Sequence, residues 1–157
     1  MATGRDTQLT RQVGEYLVAA ELGRRGWIAT TFTGSLPGFD ILAINASGTI
    51  IEVQVKAIRS KAWQLNAGQF LDIALEGGLQ LVRGTKAIKS ATRVCVFVNL
   101  KGQGSDEFFI FLWKDLQSIL MRDYKGGVRP KNPSSLHHAL HPKHIEQFRD
   151  NWTALPP

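Results

Sequence analysis

Residues 51–57, IEVQVKA, alternate between two kinds of side chain without a break. Successive side chains of an extended chain point to opposite faces, so Ile51, Val53, Val55 and Ala57 form one apolar face of a strand. Glu52, Gln54 and Lys56 form the other. An apolar strand face needs a layer packed against it, which commits the chain to a sheet with at least one covered side. The polar face sets an acid, an amide and an amine in a row. Such a row is either a solvated edge or a reaction site.

The neighbouring sequence extends the sheet. WIATTF (27–32) reads as a strand, TGSLPG (33–38) as a loop broken by Pro37 and Gly38, and FDILAIN (39–45) as a second strand. Only ASG separates it from TIIEVQVKAI (49–58), so the two predict a hairpin. Ahead of them a helix is expected over about Thr7 to Arg25, with Leu9, Val13, Tyr16, Leu17 and Ala20 as its apolar stripe. Arg24 and Arg25 suit the negative end of its dipole, and Gly26 its C-terminal cap.

Further on, RVCVFVNL (93–100) and DEFFIFLW (106–113) read as core strands. KDLQSILMRDY (114–124) reads as a helix with Leu116, Ile119, Leu120 and Tyr124 on one face. Residues 128–140 read as a loop, and Pro142 opens a last helix with Ile145, Phe148 and Trp152 on its apolar side. Residues 60–90 stay open between a short helix and irregular structure. The order predicts an α/β fold, a central mixed β-sheet flanked by helices. One domain over 1–157 is expected, with a core of about 7–125 and a C-terminal loop and helix of about 126–157.

Composition narrows the setting. A hydrophobic fraction of 43% against 20% charged residues places the chain among globular proteins rather than disordered ones. The lone cysteine, Cys95, leaves no intramolecular disulfide and fits a reducing compartment. No apolar core precedes residue 13 and no run is long enough to span a membrane, so the expectation is a cytoplasmic protein with no membrane partner. The net charge of +6 and a pI near 9.8 favour a polyanionic partner, of which nucleic acid is the commonest.

Asp40 stands at the head of the second strand, where a carboxylate serves as a turn residue or as part of a site. The hairpin brings it near the middle of EVQVK, beside Glu52, Gln54 and Lys56. A carboxylate and a neutral oxygen suit Mg²⁺, a hard cation that takes oxygen ligands. A lysine beside such an ion can orient a water and balance charge on a phosphate. Glu15 lies in a second apolar patch of the first helix, with Val18, Ala19 and Leu22. A carboxylate there needs a partner, such as a cation or a metal-bound water.

GEYLVAAELGRRGW (14–27), GFDILAI (38–44) and IIEVQVK (50–56), in this order and with roughly a dozen residues between the aspartate and the x-Lys pair, resemble the core of the PD-(D/E)xK nuclease superfamily. The resemblance covers about residues 10–60. It implies a restriction-endonuclease-like fold with Glu15, Asp40, Gln54 and Lys56 as catalytic residues. The acid that usually stands two before the lysine is Gln54 here. In this the chain is similar to an intron-encoded homing endonuclease branch that uses Gln-x-Lys. The implied metal ligands are Asp40, Gln54, the Val55 carbonyl and Glu15, with Glu52 as a second source of a carboxylate. The implied cofactor is Mg²⁺, with Mn²⁺ also suitable. The implied reaction is phosphodiester hydrolysis by a DNA endonuclease, with RNA as the other polyanion to consider.

Two alternatives stay open: a catalytically silent nucleic-acid-binding module on the same fold, which the neutral Gln54 motivates, and a structure-selective, junction-resolving nuclease. Cutting both strands with no recognisable second domain implies a homodimer or higher homo-oligomer. Arg59, Lys61, Lys86, Lys89, Arg129 and Lys131 fall near expected loops and are candidates for phosphate contacts. His137 and His141 would share a zinc-binding face only if helical, and Pro142 argues against that. Trp63 and Trp113 read as core rather than as stacking platforms.

Overall fold

The computed structural model describes residues 3–34, 38–88 and 90–157. Its helices are α1 (Gly4–Arg24) and α2 (Trp113–Asp123). Its strands, in chain order, are β1 (Trp27–Thr31), β2 (Ile41–Asn45), β3 (Ile50–Ile58), β4 (Trp63–Asn66), β5 (Leu71–Glu76), β6 (Leu79–Thr85), β7 (Val94–Asn99), β8 (Glu107–Leu112) and β9 (His137–Leu140). They fall into two compact units, one of Met1–Trp63, Thr92–Leu112 and His141–Pro157, the other of Gln64–Ala91 and Trp113–Leu140.

The first unit holds a five-stranded sheet in the order β1-β2-β3-β7-β8. Every neighbour is antiparallel except β3 and β7, which run parallel, so the sheet is mixed as the sequence predicts. The connection from β3 to β7 runs through the second unit. The β2–β3 hairpin closes at Asn45, whose side-chain oxygen accepts the amides of Ser47 at 3.1 Å and Thr49 at 2.9 Å. All six residues of β7 are buried, as its β-branched run requires. Trp63 is core, with its ring centroid 5.3 Å from that of Phe97 and 5.6 Å from that of Phe109.

Helix α1 starts earlier than the apolar stripe suggests. Thr3 and Asp6 form a capping box in which each side chain accepts the other's backbone amide, at 3.2 and 2.9 Å. Of the two apolar faces read from the sequence, the second patch is the more deeply buried, not the Leu9 stripe. Leu9 and Tyr16 are exposed, and Gly14, Val18 and Leu22 face the core. Gly14 decides this rotation. A Cβ there would lie 2.5 Å from the Ala57 Cβ, so the helix backbone lies directly on β3. Val18 and Leu22 are then fully buried, worth about 1.5–3 kcal/mol each.

The C-terminal segment corrects a second expectation. In place of one helix opened by Pro142 it forms three 3₁₀ turns, Pro142–His144, Glu146–Phe148 and Trp152–Ala154. Between the last two, the Asp150 amide donates to the Phe108 carbonyl at 2.8 Å and the Asn151 side chain to the Ile110 carbonyl at 3.2 Å. The Asp150 amide, which would have continued a helix, goes to β8 instead.

In the second unit, the open stretch 60–90 contains mainly strand. β5 and β6 form an antiparallel hairpin across Gly77 and Gly78, which take left-handed φ values of 55° and 80°. Two adjacent left-handed residues give the turn whose twist matches a hairpin. The expected loop 128–140 contains β9, which pairs with β4. Helix α2 buries Leu116, Ile119 and Leu120, and Tyr124 just past its end is buried with them, as the spacing predicts. Its Gln117 amide donates to the Phe70 carbonyl at 2.9 Å and the Lys86 carbonyl at 2.8 Å. Trp113 packs on Phe70, with ring centroids 4.4 Å apart. Among the described residues no helix is long and apolar enough to cross a membrane.

Candidate active site

The site is built where two strands part. β2 begins at Ile41, paired with Val53, while β3 runs on to Ile58 paired with β7. One step beyond that last pair lies Asp40, across from Gln54, as the hairpin predicts. The Asp40 amide donates to the Val53 carbonyl at 2.8 Å, and its carboxylate Oδ2 accepts the Val55 amide at 2.8 Å. The carboxylate thus replaces the strand that has ended. The N–H and C=O of one strand residue leave on the same edge, so the Val55 carbonyl opens toward this gap too.

Glu15 arrives from α1, one residue past the Gly14 contact. Arg11 joins it to Asp40. The Arg11 Nε donates to Glu15 Oε1 at 2.8 Å, and its Nη2 to Asp40 Oδ1 at 3.2 Å. The two acid side chains are 12% and 15% exposed and Arg11 is 51% exposed, so a half-exposed cation spans two largely buried anions. The hydrogen bond to Glu15 raises the Arg11 pKa above its ordinary value, against burial and with help from the charge of Asp40. Arg11 and Glu15 line a cleft of about 390 Å³ together with Gln8, Tyr16, Thr31 and Phe32.

Gln54 and Lys56 flank Val55 and leave β3 on the face away from α1, by strand alternation. Both are half-buried. Among the described residues none hydrogen-bonds the Gln54 amide or the Lys56 ammonium. The Lys56 carbonyl accepts the Trp63 indole N–H at 3.0 Å, which pins the end of β3 to a core ring. Glu52 shares their face but is engaged: Arg93 donates to its Oε2 from Nε at 3.1 Å and Nη2 at 2.8 Å. A Cβ on Gly38 would lie 2.9 Å from Arg93 Nη1, so Arg93 braces both Glu52 and the approach to Asp40.

The arrangement therefore brings together Glu15, Asp40 and the Val55 backbone through Arg11. Gln54 and Lys56, the residues before and after Val55, share the sheet face away from α1, and Glu52 on that face is engaged by Arg93. Sequence reading missed both arginines. Arg11 carried a signal, since it lies four residues before Glu15 on one helix face. Arg93 carried none, because its partner depends on the pairing of Val53 with Val94. Among the described residues there is no cluster of three or more His, Cys, Asp or Glu side chains placed to hold a metal. A set drawn from Asp40, Glu15, the Gln54 amide oxygen and the Val55 carbonyl contains oxygen donors alone, the chemistry a hard divalent cation takes.

The basic candidates are dispersed. Arg59 lines a groove of about 840 Å³ beside α1, with Arg24, Arg25 and Lys101, and donates to Thr10 Oγ1 at 3.2 Å. This groove is larger than the cleft beside Arg11, yet neither Glu15 nor Asp40 lines it; its Glu21 is paired with Arg24 and Arg25. Lys61 is exposed just after β3. In the second unit Lys86 and Lys131 are exposed, while Arg129 donates to the Gly77 carbonyl at 2.9 Å and so braces the β5–β6 turn. Lys89 lies outside the described residues. His137 begins a strand, so it shares no helical face with His141.

The bacterial homing endonuclease I-Ssp6803I is similar in structure, with a TM-score of 0.52 over 94% of this chain and 90% of that one. The fold is endonuclease-like. At 14% identity the likeness is one of architecture. No protein-family model matches the chain, and no curated protein does. Within this endonuclease-like fold, the Asp40–Val55 contact marks the fork between β2 and β3.

Proposed function

We propose that the chain is a metal-dependent nuclease that hydrolyses phosphodiester bonds, a DNA endonuclease of the PD-(D/E)xK kind in its Gln-x-Lys form. The observation that carries the reading is the Asp40 carboxylate bound to the Val55 amide between Gln54 and Lys56, with Glu15 joined to it through Arg11. The likeness in fold to a homing endonuclease supports it. So does the net charge of +6, which suits a polyanionic substrate.

Asp40, Gln54 through its amide oxygen, the Val55 carbonyl and Glu15 are the residues that would hold Mg²⁺ or Mn²⁺. Their oxygen-only chemistry fits either ion, and a cationic group already lies between the two acids. When bound, the ion supplies a Lewis acid for a phosphate oxygen. The Val55 amide fixes one oxygen of Asp40, which orients the other. Lys56, as an ammonium, would orient the attacking water, whose proton passes to solvent. Its charge also balances the negative charge that builds on the phosphate. Cleavage of both strands calls for a homodimer or higher homo-oligomer. The lone buried thiol of Cys95 suits work in a reducing cytoplasm.

The test is incubation of the purified chain with plasmid, single-stranded and branched DNA, and with RNA, in Mg²⁺ and in Mn²⁺. Cleavage is expected, and Lys56→Ala should remove it by about 10²–10⁴-fold while the circular dichroism spectrum is kept. Preference for branched over linear duplex would make it a junction-resolving enzyme. The neutrality of Gln54 motivates the second reading, a silent binding module. Intact substrates with salt-sensitive binding in a shift assay would establish that module and end the nuclease reading.

A further inference from the structure

We propose that Arg11 is a built-in stand-in for the divalent cation, holding Glu15 and Asp40 together until the ion displaces it; this rests on the metal-site reading above. A solvated i,i+4 pair between Arg11 and Glu15 would need no third group. Here the same guanidinium reaches Asp40, 29 residues away, at 3.2 Å. Both acids are largely buried, and Asp40 is anchored by the Val55 amide as well as by Arg11. The guanidinium takes up the donors that a small ion at about 2.1 Å would need, so one cation excludes the other. Arg11 is the half-exposed partner and the one free to leave.

Displacement has two consequences. The acids are held in place without the ion, which limits their mutual repulsion and keeps the site assembled. Metal binding is weakened, because it must first break two charge-assisted hydrogen bonds. The released guanidinium stays tethered beside the 390 Å³ cleft, where its planar fork suits a phosphate. A phosphodiester that captured it there would favour loading of the ion, coupling the two ligands positively.

The experiment is titration calorimetry of Mn²⁺ into the full chain without nucleic acid, for wild type, Arg11→Gln, Arg11→Lys and Asp40→Asn. Arg11→Gln should bind Mn²⁺ about tenfold or more tightly than wild type, the weight of a charge-assisted hydrogen bond. Arg11→Lys should fall between them, since a single ammonium cannot span both acids as a fork does. Thermal melting gives an independent readout: saturating Mn²⁺ should raise the Tm of both Arg11 variants more than that of wild type. Unchanged or weaker binding in both variants, with binding lost in Asp40→Asn, overturns the role of Arg11 and leaves the metal site standing. Wild-type affinity in Asp40→Asn, or no binding in any protein, overturns the metal site and this inference with it.

Discussion

Asp40 accepts the Val55 amide at 2.8 Å on the edge of β3 that β2 has left, while β7 still pairs the other edge. One carboxylate therefore has a structural oxygen and a chemical one. The two roles separate by substitution. Asp40→Asn keeps an acceptor for the amide and should unfold in urea near the wild-type midpoint. Asp40→Ala strands a backbone donor and should cost about 1–3 kcal/mol. Both should be inactive, and equal stability of the two variants would contradict the structural role.

Gly14 sets the distance between α1 and β3. Gly14→Ala puts a Cβ 2.5 Å from that of Ala57 and should destabilise by about 1–3 kcal/mol. Because Glu15 follows directly, cleavage should fall as well. Gly14→Ala combined with Ala57→Gly should recover most of the stability. Urea denaturation of the two single variants and the double variant measures this coupling, and strict additivity would refute it.

Acid should act through Glu107. Burial pushes its carboxyl up, but Lys101, Asn99 and Arg149 together hold it below its ordinary 4.5. A folded pKa below the unfolded one stabilises the protein above about pH 4.5, and the gain disappears as pH falls through the folded value. Wild type should therefore exceed Glu107→Gln in stability near neutrality, with the gap closing below pH 4.5. Urea midpoints across that range decide it, and a gap independent of pH would count against the network.

Gln54 offers a neutral oxygen where a charged one would bind an ion more strongly. Gln54→Glu should tighten Mn²⁺ binding roughly tenfold, or about 1.4 kcal/mol. The same calorimetric titration reads it out. Unchanged affinity would place Gln54 outside the donor set and return attention to Glu52.

Local patterns made much of this legible. The alternation of Ile51, Val53 and Val55 gave β3, and the short Asn45–Thr49 turn gave the hairpin that sets Asp40 across from Gln54. The rotation of α1 was harder to see. Side-chain periodicity marks two apolar faces, one with Leu9 and one with Val18 and Leu22, and Gly14, which has no side chain, decides that the second lies on β3. Gly77 and Gly78 carry a local signal for the β5–β6 hairpin, since two adjacent glycines admit its left-handed turn. Asp150 and Asn151 broke the expected C-terminal helix through bonds to a strand distant in sequence. The same holds for Arg93 and Glu52: which distant residues meet is fixed by strand order, and helical or strand periodicity does not encode it.

The β3–β7 ladder joins two parts of the sheet that are made at different times. β1, β2 and β3 emerge first, then the long excursion through the second unit, and only afterwards β7 and β8. Closing that loop is an entropic cost that grows only with the logarithm of its length, about 0.6 kcal/mol for each doubling. The sheet and its fork are thus insulated from the size of what is inserted between the strands. Chain growth in the excursion would slow assembly more than it would loosen the finished ladder.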